Sequence, residues 1–134
     1  YLQQRHELHT HTTMPIIGDD SCFTADDVTR EINFNTLDII NIKTARTGFS
    51  HSHRIHQLAQ QAGKGIMIGS QASALIGCMQ AAIFSGKSGI NYPTECSFYL
   101  KTREEYTHTP IIRDGYLSVE DAENALNVLR ETLI

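Results

Sequence analysis

Two carboxylates and a lysine stand where short apolar runs stop: Asp19 and Asp20 after Pro15-Ile16-Ile17-Gly18, and Lys43 after Asp38-Ile39-Ile40-Asn41-Ile42. An acidic pair supplies hard oxygen ligands for a cation, and a partly desolvated lysine can accept a proton or stabilise negative charge. A charge directly after an apolar run is how a buried parallel strand reads when its C-terminal end opens onto a ligand. In parallel α/β folds those ends face one side, so Asp19, Asp20 and Lys43 are expected on a common rim. The same residues also have a plainer reading, in which Asp19 or Asp20 caps the next helix and Lys43 is a solvated loop residue.

The elements that must position them alternate. Leu2, Arg5, His6, Leu8 and His9 have helical spacing before Thr10, Thr12 and Thr13 interrupt it. Residues 14–18 predict a first strand. Thr24 and Asp27 form a capping box for a helix ending near Asn33. Residues 38–42 predict a second strand, 44–48 a loop, and 49–62 a helix with Ile55, Leu58, Ala59 and Ala62 on one face and Gly63 as its C-cap. A third strand is expected at 66–69, and a largely buried helix at 72–84 follows from its small and apolar residues. Three strand-helix repeats imply a parallel sheet with right-handed crossovers.

Beyond Gly86 the pattern changes. Asp114-Gly115 with apolar flanks predicts a hairpin over 110–117, and Ser118 with Asp121 opens a final helix whose apolar face is Ala122, Ala125, Leu126, Leu129 and Leu133.

With 134 residues, 40% hydrophobic and 19% charged, the chain fits one globular domain with a core of its own. A net charge of −4 with interspersed signs argues against a nucleic-acid surface or a polybasic membrane patch. No run reaches the length of a membrane span. Cys22, Cys78 and Cys96, odd in number and set among small or apolar residues, read as reduced packing cysteines of a cytoplasmic protein. The chain opens on Tyr1 in mid-helix, with neither an initiator methionine nor a signal peptide, so a fragment, a processed product or an engineered piece is expected.

Pro15-Ile16-Ile17-Gly18-Asp19-Asp20-Ser21 resembles the "P-I-x-A-D-E-S" strand of the muconate lactonizing enzyme subgroup of the enolase superfamily, the mandelate racemase-like enzymes. Asp38 to Gly48 resembles its "D-x-x-N-I-K-x-x-K-x-G" strand and loop, and Gly69-Ser70-Gln71 continues the likeness. The resemblance covers roughly the first ninety residues. It implies an α/β fold that is part of a TIM-type (β/α)7β barrel: the last three βα units over residues 1–89, and over 90–134 a C-terminal segment returning to the capping domain. It further implies a metal-dependent enzyme that abstracts a proton alpha to a carboxylate, with Mg²⁺ or Mn²⁺ as cofactor. In that picture Asp19 is a metal ligand, Lys43 is the catalytic acid/base, Asp20 and Asn41 stand behind them, and Ser70 and Gln71 bind substrate. Cycloisomerase, racemase, epimerase, dehydratase and o-succinylbenzoate synthase chemistries all fit. The family's other metal carboxylates and its Lys-x-Lys pair lie on earlier strands, and its lactonizing members often carry a glutamate near the place of Ser73. One aspartate cannot replace the waters of Mg²⁺, so the 134 residues alone are expected to be inactive.

Seven histidines invite a metal reading, and of these His53 and His56 share a helix face; an ordinary polar face explains them more simply. Gly86-Lys87-Ser88-Gly89 lacks the glycine and preceding strand of a phosphate loop. Two function classes follow: part of a cycloisomerase-like enzyme acting on a small carboxylate, or a non-catalytic α/β binding or assembly module. A partial barrel would leave two strand edges unpaired, so a homo-oligomer is expected in either case.

Overall fold

The computed structural model describes residues 1–102 and 109–132. In chain order these form α1 (Leu2–His11), β1 (Ile17–Gly18), a 3-10 turn (Asp20–Cys22), α2 (Ala25–Asn33), β2 (Ile39–Ile42), α3 (Thr44–Gln61), β3 (Gly65–Ile68), α4 (Leu75–Ser85), a second 3-10 turn (Phe98–Lys101) and α5 (Val119–Thr132). The strands make one parallel sheet in the order β1-β2-β3, with Ile17 opposite Ile39, Ile39 opposite Gly65 and Ile42 opposite Ile68. The expected alternation of strand and helix is present; β2 and β3 end level with each other, and β1 ends two residues earlier, opposite Ile40.

Alternation of side chains divides the sheet into two faces. Ile40 and Ile42 of β2 point with Ile66 and Ile68 of β3 into a core built with Val28, Leu37, Ile55, Ala59 and Phe84. Ile39 and Asn41 take the other face, yet they are 3% and 4% exposed, so β2 is buried on both sides. A second core joins Leu75, Cys78, Met79 and Ala82 of α4 to Cys96, Tyr99, Ala122 and Ala125. Because α4 also sends Ala81 and Phe84 into the first core, it is apolar nearly all round.

The capping box of α2 forms as expected: Asp27 N–H donates to Thr24 Oγ1 at 3.1 Å and Thr24 N–H to Asp27 Oδ2 at 2.9 Å. Helix α1 buries none of its side chains and is fastened by polar contacts. Arg5 Nη1 donates to the buried carboxylate of Glu31 at 2.9 Å, and His9 Nε2 lies 2.9 Å from Asp38 Oδ1.

Several boundaries differ from the sequence expectation. The first strand is Ile17–Gly18 rather than 14–18: Ile16 still accepts from the Asp38 and Ile39 N–H groups through its carbonyl, but its own N–H goes to the Asp38 side chain. Residues 44–47 make a helical turn instead of a loop, and Gly48, at φ +71°, separates it from the long helix. The fourth helix starts at Leu75 rather than 72, since Ala72 sits at φ +49°, outside helical geometry. The hairpin over 110–117 is reduced to one bridge between Arg113 and Tyr116 around the Asp114-Gly115 turn. Leu133 lies outside the described residues.

The outer edge of β3 is not open. Ile66 O accepts from Asn91 and Tyr92 N–H, both at 3.2 Å, and Ile68 O accepts from Glu95 N–H at 2.9 Å. Residues 91–95 thus run alongside β3 in the same direction, short of a regular ladder because Pro93 has no N–H to give. Only β1 leaves an edge without a partner among the described residues.

The three cysteines are free and buried, and burial pushes the Cys22 thiol up to about 11 and raises those of Cys78 and Cys96. This accords with packing residues rather than nucleophiles. Among the described residues no helix is long and apolar enough to cross a membrane.

The hydrogen bond from His9, then that from Ile16 N–H, holds the Asp38 carboxyl below its ordinary value. A depressed folded-state value contributes stability that is present above the unfolded value, near 3.8, and is lost as pH falls through the folded one. Denaturant melts between pH 7 and pH 2.5 should therefore lose stability on the acid side, and Asp38→Asn should flatten that limb. An unchanged acid limb would remove Asp38 from the account.

Candidate active site

At the rim beyond β1 and β2, two of the residues expected on it, Asp19 and Lys43, meet as an ion pair. Lys43 follows β2 directly and is 12% exposed; its Nζ lies 2.7 Å from Asp19 Oδ1 and 2.8 Å from Oδ2. The lysine is thus a half-enclosed cation aimed across the strand ends, not a solvated loop residue. Asp19, 45% exposed, does not cap a helix: it precedes the 3-10 turn without a side-chain cap, and its carbonyl accepts from Cys22 N–H at 2.9 Å.

Asp20 turns outward and pairs with Arg46, Nη1 to Oδ1 at 2.9 Å. Arg46 is on the helical turn that leaves Lys43, its Nη2 reaches the Asp19 carbonyl at 3.3 Å, and its Cζ lies 4.5 Å above the Phe23 ring. Asn41 lies one alternation before Lys43 on the same face of β2. It is buried, its Oδ1 has no hydrogen-bond partner among the described residues, and Gly69 approaches it so closely that a β-carbon there would lie 2.3 Å from Oδ1.

Ser70 and Gln71 do reach the rim, after β3, but neither forms a pocket with Lys43. Ser70 Oγ accepts from Ala72 N–H at 3.2 Å, a turn-stabilising role, and Gln71 is exposed. Ser70 N–H donates to Glu95 Oε2 at 3.2 Å, and Ser70, Ala72, Glu95, Ser97 and Phe98 line an open cavity of about 350 Å³. Sequence reasoning missed Glu95 and Arg46. Glu95 ends a segment with no strand signature; Arg46 was legible only as part of a motif.

Among the described residues no group of three or more His, Cys, Asp or Glu side chains converges to hold a metal ion. His53 and His56 stack with ring centres 6.1 Å apart, but His56 is buried and its Nε2 is 2.9 Å from the Ser88 carbonyl, which Gln60 Nε2 also reaches at 3.2 Å. His56 and Gln60 therefore fasten the 86–89 loop.

A parallel α/β unit that brings an aspartate and a lysine from neighbouring strand ends into contact is the frame of a strand-end active site. A family model described as enolase C-terminal domain-like matches residues 1–123, and the chain belongs to that family. An L-Ala-D/L-Glu epimerase from Thermotoga maritima is 29% identical over 105 residues, 78% of this chain and 30% of that protein. The substrate-liganded L-Ala-D/L-Glu epimerase from Bacillus subtilis superposes with a TM-score of 0.72 at 27% identity, covering 77% of this chain and 29% of that one. A muconate cycloisomerase variant superposes with a TM-score of 0.77 at 27% identity, covering 84% and 32%. The chain spans about a third or less of the length of these relatives.

Gly69→Ala should force the buried Asn41 side chain aside and cost about 1–3 kcal/mol, the range for overpacking. Urea denaturation measures it, and a neutral substitution would mean that Asn41 has room to move.

Proposed function

We propose that this chain carries the last three βα units of a (β/α)7β barrel, with residues 90–134 returning to a capping domain, in an isomerase that moves a proton at the carbon alpha to a carboxylate. Family membership and the resemblance to epimerases and cycloisomerases support that class. The observation that carries it is the contact of Lys43 Nζ with Asp19 at 2.7 and 2.8 Å on a common rim. Since two of the relatives are named as L-Ala-D/L-Glu epimerases, a dipeptide ending in a carboxylate is the substrate we favour over a muconate.

Lys43 does the proton chemistry in this reading. As found, Nζ donates to Asp19, which makes it the proton-delivering half of an acid/base pair; to take a proton it must first give one up. Its low exposure keeps water from competing for the same position. Asp19 holds the amine in place across the rim, with Asp20 and Asn41 behind it and Ser70 and Gln71 offering polar contacts to substrate.

The residues described here do not by themselves fit a divalent cation. Asp19 is one carboxylate and both its oxygens face Lys43, whereas Mg²⁺ needs several charged oxygens to replace its waters. Mg²⁺ or Mn²⁺ is consequently proposed only with carboxylates from beyond these residues, and the 134 residues alone should be inactive.

The test is exchange of the substrate α-proton in D₂O, followed by NMR, for the chain alone and for a chimera in which it replaces the matching 105 residues of the Thermotoga maritima enzyme. The chimera should exchange L-Ala-L-Glu, the chain alone should not, and Lys43→Ala in the chimera should lose at least ~10³-fold, the scale expected when a general base is removed. Exchange at the wild-type rate in that variant would exclude Lys43 as the acid/base. A folded chimera without exchange would overturn the function.

The unpartnered edge of β1, beside exposed Met14 and Ile17, supports association of copies of this chain. Light scattering at high concentration should give a homo-oligomer; a monodisperse monomer would contradict it.

A further inference from the structure

We propose that Arg46 is a positioning residue that sets the Asp19–Lys43 pair by holding the Asp19–Cys22 turn against the start of α3. The proposal rests on the functional reading of that pair, and goes beyond it to a residue with no assigned role.

Two independent connections converge on one guanidinium. On its own side, Arg46 N–H donates to the Lys43 carbonyl at 2.9 Å, so the arginine is tied to the backbone that carries the lysine. On the opposite side, Nη1 reaches the Asp20 carboxylate at 2.9 Å and Nη2 the Asp19 carbonyl at 3.3 Å. The planar fork presents its two terminal nitrogens at a fixed spacing, so it holds the two acceptors of the turn in one orientation, whereas an ammonium's donors rotate about a flexible stem. The Phe23 ring, at the far end of the same turn, forms a floor 4.5 Å below the guanidinium carbon.

The burial of the arginine is what separates this contact from an ordinary surface pair. Its side chain is 7% exposed while its partner Asp20 is 91% exposed, so the cation is drawn into the protein rather than meeting the carboxylate in water. Among the described residues its Nε meets no acceptor, so the grip on the turn comes from Nη1 and Nη2 alone. What the placement does achieve is a rigid link, since β1 ends at Gly18 and the turn bearing Asp19 has no ladder bond to β2.

The test reads the pair directly in this chain. The ¹⁵N-lysine ammonium signal of Lys43, identified by its loss in Lys43→Arg, reports solvent exchange of Nζ protons donated to Asp19. Arg46→Met keeps the length and the contact with Phe23 but removes the charge and the fork. It should speed that exchange by about tenfold or more, the effect of weakening the Asp19–Lys43 contact by about 1.4 kcal/mol, and Arg46→Lys should recover part of the loss. Asp20→Ala, at an exposed position, should move exchange in the same direction even if Arg46→Met fails to fold. Wild-type exchange in a folded Arg46→Met chain, or in Asp20→Ala where that chain does not fold, would overturn the proposal. The same substitutions in the chimera separate the two ideas. Intact α-proton exchange with an Arg46-independent Lys43 signal sinks the positioning role and leaves the function standing. An inactive chimera with an Arg46-dependent signal sinks the function and leaves the positioning role.

Discussion

The double burial of β2 is the constraint on which the rest of the structure depends. Four consecutive residues, Ile39 to Ile42, are each at most 4% exposed, so helices must pack on one face while other chain segments cover the opposite one. A parallel strand buried in this way can be solvated only at its ends. Solvent therefore meets β2 only at its ends, and Lys43 is the residue that follows Ile42.

Register then does what proximity in sequence cannot. Ile17 opposite Ile39 and Ile42 opposite Ile68 end β2 and β3 at one level and β1 two residues earlier, opposite Ile40, so that Asp19, Lys43 and Ser70 gather beyond the strand ends although they are separated by more than twenty positions along the chain. The Lys43–Asp19 pair forms there in a half-enclosed setting. Desolvation of such a pair offsets much of its Coulombic gain, so little of the fold's stability is expected from it. Packing of Ile40, Ile42, Ile66 and Ile68, at about 1.5–3 kcal/mol for each fully buried aliphatic side chain, is the larger contribution.

The turn after β1 is the weak point of this arrangement. Strand β1 pairs over two residues only, and Asp19 stands beyond the last of them. Contacts from the side, Arg46 on the Asp19 carbonyl and on Asp20, Cys22 packed in the core beneath, compensate for the missing ladder. On the other flank, Glu95 reaches the backbone of Ser70 and extends the polar rim past β3.

Local chemistry was enough to read part of this from the sequence. Thr24 and Asp27 define a helix start because their partners lie three residues apart; Asp38 to Ile42 reads as a strand from its β-branched run; and a charge after each run marks Asp19 and Lys43 as rim residues. The sequence by itself therefore determined the strand-helix alternation, the parallel sheet and the two charged residues that meet on the rim. Tertiary structure alone decided which charge meets which. Asp19 takes Lys43 and Asp20 takes Arg46 because one faces inward and the other outward from a turn whose direction no spacing rule specifies. It also decided that residues 91–95 close the edge of β3, since backbone hydrogen bonds between distant segments need no side-chain signature, and that Ala72 delays α4 by adopting a left-handed conformation. Sequence periodicity records what a residue does within its own element, whereas contacts between elements depend on where the whole chain returns.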